Sequence, residues 1–139
     1  MPPLNHAVLS ASSAYRWLEC PPSALATADI PDKTTIYAQE GSAAHEMAEY
    51  KIRWHLGEKD LAPPNIGNFN AEEIDRYTDS YAYYTTDKIE TIRKICPDAI
   101  VMVEQRLDFS NYVKDGFGTG DLVIVADDVL PVSYTHLRA

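Results

Sequence analysis

The sequence predicts an α/β domain of mixed α+β type, in which the helices come first and a sheet follows. Three segments before Cys96 carry residues at the three- to four-residue spacing of an α-helix. From Ala99 onward the pattern changes to runs of β-branched residues, which favour strands. A chain of 139 residues is long enough for one domain with a single hydrophobic core.

The first predicted helix is short and runs from Ser13 to Glu19. Ser13 is a favourable N-cap residue, and the proline after Cys20 ends the helix because proline disfavours helical backbone in the residue before it. Residues 22–35 are predicted to form a loop. We expect the Cys20 thiol to be buried, since one cysteine cannot hold a metal alone and free thiols usually behave as small apolar residues.

The second predicted helix begins near Glu40 and ends at Leu56, where Gly57 is a typical C-terminal stop. Its expected buried face consists of residues at helical spacing, namely Ala44, Ala48, Ile52 and Leu56. His45 lies three and seven positions before Ala48 and Ile52. We therefore expect His45 at the edge of the buried face.

The third predicted helix runs from Asn70 to about Ile95, with Asn70 as N-cap and Glu73 in a capping-box position. The residues of its expected buried face are Ile74, Tyr77, Tyr81, Tyr84, Lys88, Ile92 and Ile95. We interpret the tyrosines of this set as packing residues, although tyrosines on a surface can also stack on nucleic-acid bases.

Two strands are predicted after the helices. Residues 100–107 are rich in β-branched side chains. Residues 118–125 are apolar on both faces beyond Asp121, which is typical of a strand that is covered on both sides. Val129 and Leu130 begin a third strand, but Pro131 then interrupts it because proline cannot donate to a strand ladder. We therefore expect the second strand to keep an unpaired edge.

The composition excludes several classes of protein. Hydrophobic residues make up 45% and charged residues 24%, which is ordinary for a globular domain. No segment approaches the roughly 18 consecutive apolar residues of a membrane span, and the N-terminus has no secretion signal. Two distant cysteines without a signal sequence suggest reduced thiols in a cytoplasm. The net charge of −9 argues against binding nucleic acid by bulk electrostatics, but not against an enzyme that meets DNA at an acidic metal site.

Three residues could carry chemistry, and each has a structural alternative. Asp121 opens an otherwise apolar strand, where a carboxylate is costly unless a cation or hydrogen-bond donors satisfy it. It could also be a turn aspartate bonded to backbone amides. His45 could be a metal ligand, or a histidine at the edge of the core that bonds a carbonyl. Glu104 lies within an apolar strand and could instead pair with Arg106 or face water.

Three motifs resemble one family when they are taken in order. They are Ser-Ala-Ser-Ser-Ala-Tyr-Arg-Trp-Leu-Glu-Cys-Pro-Pro-Ser-Ala at 10–24, Glu-Gly-Ser-Ala-Ala-His at 40–45 and Gly-Thr-Gly-Asp-Leu-Val at 118–123. Their order and spacing resemble a phage- and prophage-associated group of uncharacterised proteins, which is usually placed with the RecB-like nucleases of the PD-(D/E)XK superfamily. The resemblance covers roughly residues 6–130.

The resemblance implies a restriction-endonuclease-like core, with helices around a mixed sheet. In such nucleases a histidine on the motif helix, an aspartate on the second core strand and an acid on the third bind Mg²⁺ or Mn²⁺. A lysine two residues after the third acid helps to activate water. By this resemblance His45 and Asp121 match metal-binding catalytic residues. Glu104, on the strand before Asp121, is a weaker candidate that would support the ligands.

The sequence departs from the family at its end. The family places Asp-x-Lys or Glu-x-Lys a dozen or so residues after the motif aspartate, whereas residues 131–139 contain no acid and no lysine. We therefore expect residues 1–130 to be the N-terminal part of a nuclease domain, truncated after the start of the third core strand. Residues 131–139 are expected to be a non-native tail from a truncated gene model.

Three functions follow as expectations. The first is the N-terminal portion of a phage or prophage metal-dependent DNA nuclease, which is inactive in this form and belongs to the cytoplasm of a bacterial host cell. Its partners would be DNA and phage recombination or replication proteins, and it would use Mg²⁺ or Mn²⁺. The second is a non-catalytic phage accessory module that binds DNA ends or a recombination partner. The third is an interaction domain whose resemblance to nucleases is accidental.

Overall fold

The structure is a computed structural model that describes residues 9, 13–28, 30, 35–112, 115–127 and 132–133. Its elements are, in chain order, α1 (Ala14–Glu19), α2 (Ser23–Ala26), α3 (Ile36–His55), α4 (Ala71–Ile95), β1 (Ile100–Asp108), β2 (Phe117–Val125) and β3 (Val132–Ser133). Helices precede strands, so the predicted mixed α+β class is confirmed. Within the described ranges, none of the helices combines the length and the apolar character that a membrane crossing requires.

Helix α1 matches its predicted bounds closely, but the loop predicted after it contains a helix. The short α2 follows Pro22, whose φ of −63° already lies in the helical range. Proline is well tolerated at the start of a helix, because its missing N–H would have no partner there. The expectation of a buried Cys20 is also wrong. Cys20 is a free, exposed cysteine at the C-terminal cap of α1.

Helix α3 begins earlier than predicted and ends where predicted. Thr35 caps its first turn, because the Thr35 hydroxyl accepts a hydrogen bond from the Ala38 N–H at 3.1 Å. Gly57 follows the helix with a φ of +107°, a conformation that favours glycine. The buried residues of α3 are Ala43, Ala48 and Ile52.

Helix α4 has its predicted bounds, and its predicted cap is confirmed. The Asn70 side chain accepts a hydrogen bond from the Glu73 N–H at 3.3 Å. The predicted buried face is right at Ile74, and Tyr81 and Ile92 pack against the core, but it is wrong at Tyr77 and Tyr84, which are 51% and 60% exposed. The face that is buried consists of Ile74, Thr78, Ala82, Thr85 and Ile89. The spacing of apolar residues does not predict threonine in the core. The Thr78 hydroxyl donates a hydrogen bond to the Ile74 carbonyl, so its burial costs little free energy.

The strands form one sheet in the order β1-β2-β3. Leu122, Val123 and Ile124 are all buried, as predicted for a strand covered on both sides. Strand β3 pairs with β2 in antiparallel orientation, with Ser133 opposite Leu122 and Val132 opposite Val123. The expectation that β2 keeps an unpaired edge is therefore wrong at Leu122 and Val123. Residues 128–131 and 134–139, which include the predicted third-strand start at Val129 and Leu130, lie outside the described residues.

The chain divides into two compact units. The first comprises residues 1–33 and 105–120 and contains α1 and α2. The second comprises residues 34–104 and 121–139 and contains α3 and α4, which pack against each other. The second unit also holds the main hydrophobic cluster, formed by Ile52, Ala82, Ile89, Ala99, Val103, Leu122 and Ile124.

Candidate metal centre

Three of the residues singled out in the sequence lie together in the second unit. One side-chain ligand atom from each of His45, Glu104 and Asp121 lies within 4.8 Å of the other two. Ligands that share one ion at about 2.0–2.6 Å can be at most about 5 Å apart, so this spacing suits a single bound cation. All three side chains are partly buried.

Helix α3 and strand β2 place two of these residues for simple reasons. His45 lies one turn before Ala48, and Ala48 and Ile52 are buried, so the helix holds the imidazole at the rim of the core as predicted. Asp121 directly precedes the buried run Leu122–Ile124. The core therefore anchors the strand immediately after the carboxylate.

Glu104 reaches the site through an unusual backbone conformation. Consecutive residues of an extended strand point to opposite faces, yet Val103 and Glu104 both line the same small cavity. Glu104 has a φ of +51°, in the left-handed region. Such a conformation costs about 1–3 kcal/mol for a residue with a side chain and is often retained at functional sites. The alternative that Glu104 pairs with Arg106 is not found, since the Arg106 guanidinium lies over the Phe117 ring at 3.9 Å.

The cavity between these side chains is small. It has a volume of about 10 Å³, close to what one water molecule requires, so it suits an ion better than an organic ligand. Its walls are His45, Ala48, Glu49, Ile52, Tyr81, Val103, Glu104 and Asp121. Among the described residues that line it there is no lysine.

The site concentrates negative charge in a place with limited access to water. The pKa of Glu104 is raised to about 7, first by burial and then by the nearby charges of Asp121 and Glu49, whereas the Arg53 guanidinium opposes the shift. A divalent cation would remove the repulsion between these carboxylates. The donor set of two carboxylates and one imidazole fits Mn²⁺ or Mg²⁺, and the imidazole favours Mn²⁺.

Glu104→Gln is expected to stabilise the metal-free protein at pH 8 by about 1 kcal/mol, less than the full pKa shift implies because Glu104 is partly exposed. The carboxyl group holds its proton more tightly in the folded state than in the unfolded state. The wild-type protein therefore loses stability as the pH rises from about 4.5 to about 7, whereas glutamine does not ionise. Urea unfolding at pH 4 and pH 8 measures the difference in the free energy of unfolding between the variant and wild type, which should nearly vanish at pH 4. The exposed Glu90→Gln serves as control, and an equal gain at both pH values would contradict the assignment.

A larger cleft in the second unit lies away from these residues. It has a volume of about 370 Å³ and is lined by Tyr50, Lys51, Trp54, His55, Asp79, Ala82 and Tyr83. The Lys51 ammonium in this cleft already donates to Asp75, Thr78 and Asp79. The size of this cleft favours it as a functional site. The converging ligand atoms and the raised pKa of Glu104 favour the smaller cavity instead, and we take the smaller cavity as the candidate functional site.

Two residues beside the site were not singled out in the sequence. Glu49 lines the cavity, and Arg53 bonds both Glu49 and the Val103 carbonyl. The signal for Glu49 was present, because it lies four positions after His45 on the same face of a helix. No pattern in the sequence pointed to the contact between Arg53 and β1.

The comparisons with known proteins identify a family but no activity. The family model described as "Protein of unknown function (DUF2800)" matches residues 6–135. No solved structure matches the chain.

Proposed function

The chain belongs to the DUF2800 family of proteins of unknown function, and from its metal centre we propose that it is the N-terminal portion of a phage or prophage metal-dependent DNA nuclease of the PD-(D/E)XK class. The observation that carries the proposal is the convergence of His45, Glu104 and Asp121 within 4.8 Å. His45 on α3 and Asp121 on β2 occupy the elements that the resemblance implies for a histidine and an aspartate, whereas Glu104 comes from β1 and not from a third core strand. The proposed reaction is hydrolysis of a phosphodiester bond in the cytoplasm of a bacterial host cell.

The residues present would hold the cation from two sides. His45 offers a ring nitrogen, and Asp121 and Glu104 offer hard carboxylate oxygens. When bound, Mg²⁺ or Mn²⁺ would polarise a phosphoryl oxygen and lower the pKa of a coordinated water. Because the measured spacing includes Glu104, we propose it as a third ligand rather than only a support for the other two.

Exposed aromatic rings support a nucleic-acid substrate. Tyr77, Tyr83 and Tyr84 on α4 are 51%, 76% and 60% exposed. Nucleic-acid bases can stack on such rings, and the Arg76 guanidinium and Lys88 ammonium that lie over the Tyr77 and Tyr84 rings would supply positive charge beside them. Phage recombination or replication proteins are the proposed protein partners.

A non-catalytic role is the second candidate, and one observation favours it. Neither the described lining of the cavity nor the sequence of residues 131–139 supplies the lysine that such nucleases use beside the attacking water. A module of this kind would bind metal and DNA ends, or a recombination partner, without cutting.

The 139-residue chain is expected to bind Mn²⁺ but to show no robust Mg²⁺-dependent cleavage of linear DNA, because the described residues that line the cavity include no lysine. Calorimetry measures Mn²⁺ binding, and a linear duplex with a labelled end measures cleavage. His45→Ala is the control and should bind Mn²⁺ more weakly than wild type. Robust cleavage that His45→Ala abolishes would contradict this expectation, and absence of Mn²⁺ binding by wild type would contradict the nuclease proposal.

A further inference from the structure

Arg53 connects three parts of the second unit through three nitrogen atoms of one guanidinium group. Nε donates to Glu49 Oε1 at 2.7 Å, Nη1 donates to Glu58 Oε1 at 3.3 Å, and Nη2 donates to the Val103 carbonyl oxygen at 3.0 Å. The side chain is 30% exposed, so these bonds are partly shielded from water. A planar guanidinium holds its acceptors in set directions, which a lysine ammonium does not.

The bond to Val103 acts on the peptide next to the candidate ligand Glu104. The Val103 carbonyl and the Glu104 N–H belong to one planar peptide group. The left-handed φ of Glu104 is the rotation that starts from this nitrogen, and its value is +51°. A hydrogen bond that holds the peptide plane therefore sets the direction from which the Glu104 side chain leaves the strand.

The bond to Glu49 acts on the charge of the cavity. Glu49 lines the same cavity as Glu104 and Asp121, so three carboxylates meet there. Arg53 is the cation that pairs with Glu49, and its charge opposes the repulsion on Glu104. Without this partner the charge of Glu49 would add uncompensated repulsion to the other two carboxylates.

We propose that Arg53 is a positioning residue of the metal centre, which holds the Val103–Glu104 peptide and the Glu49 carboxylate so that Glu104 faces His45 and Asp121. Arg53 itself does not contact the metal. The part of this inference that concerns metal binding rests on the proposed function. The part that concerns the conformation of Glu104 does not.

The conformation is tested first, in the metal-free full chain, by NMR. The Cα shift and the HN–Hα coupling of Glu104 report its φ. Wild type and Glu58→Gln, which removes only the charge of the more exposed partner, should keep the left-handed conformation. Arg53→Met should lose it. Arg53→Lys keeps the positive charge but lacks the planar guanidinium, so it should also lose the left-handed conformation of Glu104. This variant provides the test if Arg53→Met does not fold. Folded variants of Arg53 that all keep the left-handed φ would overturn the proposal.

Mn²⁺ affinity is tested second, by calorimetry. Arg53→Met should bind about 10- to 100-fold more weakly than wild type, as is usual when a partner of the ligands is lost. The Mn²⁺ affinity of Arg53→Lys should lie between those of Arg53→Met and wild type. The affinity of Glu58→Gln should stay within about threefold of wild type, because exposed ion pairs contribute little. A folded Arg53→Met that binds as tightly as wild type would overturn the positioning role. Absence of Mn²⁺ binding by wild type would instead refute the proposed function. The NMR result would still show whether Arg53 holds the conformation of Glu104.

Discussion

Replacing Asp121 with asparagine is expected to weaken Mn²⁺ binding by about 100-fold or more, since loss of a group that merely supports a ligand already costs about 10- to 100-fold. Asparagine has nearly the same shape as aspartate, so the fold should be retained. It lacks the negative charge and the second equivalent oxygen that a hard cation prefers. Calorimetry or the electron paramagnetic resonance of free Mn²⁺ measures the affinity directly.

A matched control separates the site from the overall charge of the chain. Asp98 is exposed and lies just after α4, outside the cavity lining. Asp98→Asn makes the same change in net charge and should leave Mn²⁺ affinity as it is. Saturating Mn²⁺ should also raise the melting temperature of wild type and of Asp98→Asn, but not that of Asp121→Asn. Equal affinities of the two variants would remove Asp121 from the proposed ligand set.

Ile52→Ala is expected to lower the free energy of unfolding by about 2–5 kcal/mol. Ile52 is 1% exposed, belongs to the main hydrophobic cluster and also lines the cavity of the metal centre. Truncation of its side chain removes apolar contacts and leaves a hole that neighbouring helices and strands fill only in part. Urea denaturation followed by circular dichroism measures the change.

The control for this substitution is the same change at an exposed position. Ile95 is 83% exposed at the end of α4, so Ile95→Ala should alter the free energy of unfolding by less than about 0.5 kcal/mol. If Ile52→Ala is no more destabilising than Ile95→Ala, Ile52 is not the centre of the packing between α3 and the strands. Because Ile52 also lines the site, its variant should bind Mn²⁺ more weakly than wild type even at a temperature where both are folded.

The bounds of α4 and the end of α3 could be predicted because they depend on neighbouring residues, whereas α2 and the first turn of α3 were not predicted. Asn70 caps α4 through the amide three residues later, and Gly57 ends α3 with a backbone that other residues avoid. His45 and Asp121 could be named as candidate ligands from the motifs around them. The non-native character of residues 131–139 stays a prediction.

Which faces are buried, and which side chains meet, depended on contacts between residues far apart in the chain. Thr78, Ala82 and Thr85 form the buried face of α4 instead of the tyrosines, because small side chains pack closely and their hydroxyls can bond within the helix. Glu104 joined His45 and Asp121 through one left-handed residue in an otherwise extended strand. The resemblance made Glu104 only a weaker, supporting candidate, and the Arg53 bond to the Val103 carbonyl beside it links positions 50 residues apart.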